Sequence, residues 1–418
     1  SLCHLKYLLQ VTTMTYVFQF SKKKWRIMKK TSKSTFMRIY QDINVYEKAL
    51  DRIRWLYDEF ETVATNISGG KDSTVVLELM IKVAKEKNRL PVKVLFLDQE
   101  AEWQGTIDQV KYSMERKEVE PYWFQIPFLI QNGTSTIDWW LKCWDKEHKD
   151  KWMYPYQDYS YKENIYGSDR FYEIMDLIYE KEWGSNLAIL GGVRTEESPV
   201  RKMGLCYQET YKGETWGAIR NKNKGIYSFY PIYDWTFHDI WKAIFDNNWR
   251  YNKVYDAQYR YGVPFPNMRI SNLTHETAIK NIFYAQEIEP KTYEKLTQRL
   301  GGIDMAAKLN KDYFISDLPY MFKSWTEYRD YLLDKLINEE YSKHFVKMFM
   351  DNERVFGEIF AENPSIELKC RKAEVSCILS NDWEGTKMRN FRREPTLIRY
   401  KRQETERKAN ELRQTPSQ

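Results

Sequence analysis

The chain has 418 residues, 42% of them hydrophobic and 30% charged, a composition that fits a folded globular protein and excludes a disordered chain. Its length suggests roughly two or three domains, and no apolar run approaches the ~18 residues a membrane-spanning helix needs. The formal charge is +6, but residues 1–30 carry +7 and residues 387–418 carry +6, which leaves −7 for residues 31–386. Composition therefore does not support a basic face spread over the whole protein, of the kind that grips nucleic acid.

Residues 1–30 read as a basic, flexible extension, with residues 1–27 as sequence translated upstream of a natural start at Met28. Val45–Phe60 sets Tyr46, Ala49, Leu50, Ile53, Leu56, Tyr57 and Phe60 on one helical stripe. Thr62–Ile67 is a short β-run. The turn Ser68-Gly69-Gly70-Lys71-Asp72-Ser73 follows it, and then an apolar helix that begins near Lys71. Further strands are expected at Val92–Leu97, Tyr122–Ile126 and Leu187–Leu190, with a helix over Arg170–Trp183 before the last. This βαβ rhythm predicts an α/β domain with a doubly wound, mostly parallel sheet over residues 31–262. From residue 263 the pattern turns helical and charged, which predicts an α-rich C-terminal domain over 263–386 and a basic, solvated, helix-competent tail over 387–418, whose bases could also meet DNA or RNA phosphates.

The glycine turn has a clear physical use. Glycines let backbone N–H groups approach phosphate oxygens, the helix N-terminus adds positive dipole, and Ser68 and Ser73 add hydroxyl donors. Asp72 beside phosphates would repel them unless a cation intervenes, which suggests Mg²⁺. The spacing is not that of a Walker A loop. A second constellation, Gly191-Gly192-Val193-Arg194-Thr195-Glu196-Glu197-Ser198-Pro199-Val200-Arg201, follows a buried strand at the sheet edge where such folds bind ligands. Arg194, Arg201 and Ser198 supply donors suited to phosphate or sulfate, Lys202 adds a cation, and Glu197 can fix an arginine or a metal. Asp98 ends its strand beside Glu100 and Glu102, in an acidic stretch that reads as a solvated loop unless a ligand draws it in. Asp234 reads as a helix cap or a residue at the edge of the site.

SGGKDS resembles the PP-loop of the ATP-pyrophosphatase superfamily, in the branch that contains phosphoadenosine-phosphosulfate (PAPS) reductases. LDQEAEWQGTIDQV, YWFQIPF, GGVRTEESPVR, YPIYDWTFHDIW, SWTEYRDYLL and CILSNDW are similar to segments of PAPS-reductase-like proteins with a DUF3440 C-terminal region, the immunoglobulin-binding-regulator A proteins among them. The resemblance spans roughly residues 40–390. It implies an adenine nucleotide α-hydrolase-like fold and a loop that holds ATP phosphates while the α–β bond is cleaved. It also implies a ParB-like partner. On this reading Ser68, Gly69, Gly70, Lys71, Asp72, Ser73, Asp98, Gly192, Glu197 and Ser198 hold the nucleotide, with Asp98 meeting the ribose or a cation. Lys71, Asp72, Arg194 and Arg201 carry the reaction, and Asp72 meets the Mg²⁺.

Reduction of PAPS fits poorly. The reductase Glu-Cys-Gly-type motif is missing, and the five cysteines (Cys3, Cys143, Cys206, Cys370, Cys377) contain no Cys-x-x-Cys pair. An iron–sulfur cluster and a zinc site are therefore not expected, and a reducing, cytoplasmic setting is. Cys206 is the best placed thiol and Cys377 reads as core. Residues 139–161 interleave four Trp and four Tyr with Lys and Asp. Three readings fit them: a stacking surface for single-stranded nucleic acid, a lid over a nucleotide, or an irregular surface insertion. Two further readings stay open for the whole chain, a nucleotide-gated regulator without rapid turnover and a sulfonucleotide reductase served by external thiols.

Overall fold

The structure, a computed structural model, describes residues 15–17, 39–134, 138–197, 205, 209–265, 268–275, 278–303, 318–336, 339–380 and 382–414. The proposed upstream extension, apart from 15–17, lies outside the described residues, as do Ser198, Arg201, Lys202, Cys3 and Cys206.

The chain divides into two compact units. The first comprises Ser1–Ile130, Lys142–Asn272 and Ala285–Lys295. Its centre is a six-stranded sheet of β1 (Thr62–Asn66), β2 (Val92–Leu97), β3 (Val119–Phe124), β4 (Leu187–Leu190), β5 (Gly217–Asn221) and β6 (Ile226–Phe229). The order is β3-β2-β1-β4-β6-β5. Every pairing is parallel except β5 on β6. The doubly wound, mostly parallel α/β expectation holds. β3 starts and ends two or three residues earlier than its apolar pattern suggested, because Val119 and Glu120 pair with Val92 and Lys93.

Strand order reverses between β1 and β4, so the chain leaves their carboxyl ends in opposite directions and opens a crevice there. Both sequence constellations sit at these two ends. β4 is buried throughout, as a central parallel strand must be. Helix α1 (Val45–Glu59) buries Val45, Ala49, Leu50, Ile53, Leu56 and Tyr57, close to its expected stripe, and is capped by Asn44, which accepts from Glu47 N. It also buries Arg52, which periodicity did not flag.

The second unit comprises Gln131–Leu141, Leu273–Tyr284 and Leu296–Gln418. Its core gathers Trp325, Phe345, Phe349, Phe356, Ile359, Phe360, Cys370, Cys377, Met388 and Leu397. The α-rich expectation holds, but the tail is not simply solvated. Thr386–Phe391 and Pro395–Gln414 are helices, and Leu397 is fully buried. Burial of one such side chain contributes about 1.5–3 kcal/mol toward holding the helix against its unit. No described helix is long and apolar enough to cross a membrane.

Candidate nucleotide site at the switch point

The loop after β1 is braced from within. The Ser68 and Ser73 hydroxyls lie 3.0 Å apart, Ser68 N donates to Ser73 Oγ at 3.2 Å, and Ser73 Oγ donates to Gly70 O at 3.1 Å. In this structure the two serines thus hold the loop's shape. Gly69 has φ +65°, and a Cβ there would lie 2.9 Å from Thr106 Cγ2, so both conformation and space require glycine. Helix α2 (Lys71–Glu86) starts at Gly70, which offers no side-chain cap. Asp72 and Ser73, in its first turn, have N–H groups with no intrahelical acceptor, the usual seat of an anion.

Two cations converge on Asp72. Lys71 Nζ is 3.0 Å from Oδ2 and Arg194 Nε is 2.5 Å from Oδ1. Arg194 is 3% exposed and also meets Glu196 at 3.1 Å and Glu197 at 3.7 Å. Burial pushes the Asp72 carboxyl up, but Lys71 and Arg194 outweigh it and hold the group below the usual carboxylate range. Gly192 brings the second loop onto the first: a Cβ would sit 2.9 Å from both Asp72 C and Ser73 N. The contact is with backbone, so Gly192→Ala must push the two loops apart. A displacement of this size is expected to weaken nucleotide binding roughly tenfold or more, measured by calorimetry against the unchanged thermal unfolding of the sheet.

The argument for Mg²⁺ at Asp72 is altered by this geometry. The carboxylate draws its counter-charge from Lys71 and Arg194, and both its oxygens are engaged. Among the described residues no group of three His, Cys, Asp or Glu could hold a metal ion. In this structure Asp72 is an ion-paired loop carboxylate.

Three residues that the sequence did not single out complete the loop's support. Tyr255 OH accepts from Lys71 N at 3.2 Å, and its ring lies 5.4 Å from Lys71 Nζ, with the Phe237 ring at 5.9 Å. Asn252 Nδ2 donates to Gly69 O at 3.3 Å and to Thr106 Oγ1 at 3.2 Å. Asn252 and Tyr255 stand three apart where a short helix, Val254–Arg260, begins. Asn252 precedes that helix and its cap Lys253, so no helical periodicity linked it to Tyr255 in the sequence.

Asp98 is placed differently from expectation. It is fully buried, and its carboxylate accepts from Glu100 N at 3.0 Å, Tyr154 OH at 2.6 Å, Trp123 Nε1 at 2.8 Å and Gln125 Nε2 at 3.2 Å. Four protein donors fill both oxygens and leave no room for ribose hydroxyls. The aromatic segment explains this: Trp144 is fully buried, donates Nε1–H to Asp98 O at 2.7 Å, and packs on Trp152, Tyr154 and Tyr156. This part of residues 139–161 is core around a carboxylate, not a surface insertion or an open stacking platform.

Burial pushes Asp98 up to about 7, against the pull of its hydrogen bonds, and pushes Glu102 up to about 8. Both rise above their unfolded values near 4, so the folded state keeps protons that the unfolded chain releases as pH climbs from about 4 to about 8. Stability is therefore expected to fall across that window, while the downward shift of Asp72 acts below it. Urea midpoints should drop steadily from pH 5 to pH 8, and the slope should flatten in Glu102→Gln, which keeps an acceptor for Asn272 Nδ2. An unchanged slope in that variant would show that Glu102 does not titrate in the window.

Asp234 is not a cap. It forms a buried pair with Arg52 at 2.6 Å, while Thr236 caps the helix Phe237–Asp246 in a reciprocal box with Asp239. The described cysteines, Cys143, Cys370 and Cys377, are all buried, and burial pushes the Cys370 and Cys377 thiols up. His238 is exposed on its helix.

The sheet order, the glycine loop at its switch point and the facing Gly-Gly-x-Arg turn define a doubly wound α/β domain with a candidate anion-binding loop at its carboxyl edge. Residues 62–261 match the family model of the phosphoadenosine phosphosulfate reductase domain. The uncharacterised protein YbdN of Escherichia coli (strain K12) is 26% identical over 411 residues, 88% of this chain and 98% of that protein. The adenosine 5'-phosphosulfate reductase of Lysinibacillus sphaericus (strain C3-41) is 23% identical, over 53% of this chain and 79% of its own. Among solved structures, the PAPS reductase of Candida auris in a phosphate complex covers 61% of this chain and 97% of its own, with 15% identity and a TM-score of 0.33. The FMN adenylyltransferase of Candida glabrata in complex with ATP covers 55% of this chain and 61% of its own, with 13% identity and a TM-score of 0.33. At these TM-scores neither likeness bears on the site.

Proposed function

We propose that the chain binds an adenine nucleotide through Ser68–Ser73 and cleaves ATP, taken up as MgATP, between its α and β phosphates. The observation that carries this reading is the pairing of Lys71 and Arg194 across Asp72 at a helix N-terminus on the switch point. An acceptor oxygen would attack the α phosphorus. The bond to the bridging oxygen breaks, and pyrophosphate leaves with the electron pair. The acceptor's proton passes to solvent, and AMP appears when the adenylate is consumed. Such transfers depend on positioning and charge neutralisation more than on covalent chemistry by the protein.

Charge bookkeeping makes the reading specific. Two cations, Lys71 and Arg194, face three carboxylates, Asp72, Glu196 and Glu197. A triphosphate therefore enters only by displacing a carboxylate from Arg194 or by recruiting further cations, for which Arg201 and Lys202 stand next in sequence. The buried thiols weigh against sulfur chemistry by the described cysteines. The similarity to adenosine 5'-phosphosulfate reductases favours a second reading, a sulfonucleotide in the same cradle.

Purified protein with MgATP, alone and with nucleic acid and a ParB-like partner as candidate acceptor and helper, should yield AMP and pyrophosphate. The yield should fall in Asp72→Ala and Arg201→Ala. ADP and phosphate as products, or indifference to both substitutions, would overturn the proposal. Tight nucleotide binding without products supports a regulator instead. PAPS-dependent sulfite release that is lost in Cys206→Ser supports the reductase reading.

A further inference from the structure

The helical unit carries a second feature, unrelated to the nucleotide loop. A groove of about 260 Å³ is lined by Val355, Phe356, Arg392, Leu397, Ile398, Lys401 and Arg402. Its floor is apolar and buried, with Phe356 4% and Leu397 0% exposed, and its lip is apolar and open, with Val355 38% and Ile398 54% exposed. Leu397 and Lys401, and Ile398 and Arg402, are i, i+4 pairs, so adjacent rows of one helix face supply both the apolar and the cationic lining. Arg392 is held by a bond from Nε to Asn352 Oδ1 at 2.6 Å. Arg402 meets Glu406 at 3.1 Å, but both side chains are largely exposed, so solvent screens that pair. The described lining residues thus include three cations and no acid.

We propose that this groove docks an acidic segment of a partner protein, with a bulky apolar side chain seated on Phe356 and Leu397 and flanking carboxylates paired with Arg392, Lys401 and Arg402. Two observations select this occupant. The volume is below the roughly 300–1,000 Å³ typical of pockets for small molecules, and suits one or two side chains. The exposed apolar groups at the lip are aliphatic, whereas single-stranded nucleic acid is bound on exposed aromatic rings beside its cations. Paired apolar anchoring and opposite charge are what an amphipathic acidic peptide brings to a helix-lined groove.

The test uses the full chain and a short fluorescent peptide with Leu and Phe set among Glu and Asp, read by anisotropy. Saturable binding is expected, near 10 µM as an order of magnitude. It should weaken roughly tenfold when the peptide's Leu and Phe become Ala, and by a similar factor when Lys401→Glu is combined with Arg402→Glu. Ile398→Ser, at an exposed position, provides a second variant if charge reversal disturbs folding, and circular dichroism checks each. No binding by the acidic peptide would overturn the proposal, as would binding indifferent to the charge reversal. So would full displacement by an oligothymidylate or by laurate with no dependence on the peptide's apolar anchors. MgATP binding in the same variants should be unchanged, which separates failure here from failure of the nucleotide reading.

Discussion

Arg194→Ala is expected to lower AMP formation from MgATP by roughly 10²–10³-fold, the usual cost of removing one preorganised group that stabilises developing charge. The fold should survive, because Asp72 keeps Lys71 at 3.0 Å as a counter-ion after Arg194 is gone. The loss should fall mainly on kcat. Loss of a guanidinium that bound ATP and its transition state equally would raise KM and leave kcat alone, whereas loss of one that meets the charge accumulating on departing pyrophosphate lowers kcat. Arg194→Lys should recover little, since an ammonium cannot reproduce the planar fork that spans Asp72, Glu196 and Glu197. Steady-state AMP release with thermal unfolding run alongside checks this. A wild-type rate in a folded Arg194→Ala protein would remove Arg194 from the reaction.

The legible part of this protein was the part written in short, contiguous patterns. Ser68–Ser73 and Gly191–Arg194 could be found because glycines and charges cluster beside buried strands, and the topology places both at the switch point. The support of the loop was not legible. Asn252 and Tyr255 reach Gly69 and Lys71 across more than 180 residues of sequence, and their meaning comes from packing. Asp98 was misread for a related reason. A carboxylate at a strand's end signals a ligand only if its oxygens stay open, and the four donors that close them come from separate segments. The same aromatic residues suggested a surface because their density is unusual, yet Trp144 is core. The tail was ambiguous in sequence because its charges look solvated, while Leu397 anchors its last described helix in the core of the unit.

Asp234→Ala is expected to be the most destabilising single change considered for the first unit, costing about 3–5 kcal/mol. Arg52 lies on α1, and its guanidinium donates to both Asp234 oxygens, at 2.8 and 2.6 Å, and to Pro231 O at 2.6 Å, while lying 4.7 Å from the Tyr233 ring. Burial works against the Arg52 charge, but the bonds and charge of Asp234 outweigh it and hold the guanidinium ionised. Removal of the carboxylate strands a buried cation. Arg52→Met paired with Asp234→Leu should recover part of the loss, since replacing both ions removes the unpaired charge, and what remains measures the orphaned Pro231 carbonyl. The pair also matters to the site, because Asp234 fixes the segment that runs through Trp235 and Thr236 to Phe237, whose N–H binds Glu196 beside Arg194. Urea unfolding followed by Trp fluorescence should therefore show a lower midpoint in Asp234→Ala, and nucleotide affinity should fall with it. A midpoint equal to wild type would mean that Arg52 finds water or another acceptor, and that the α1 contact is not what holds the second loop in place.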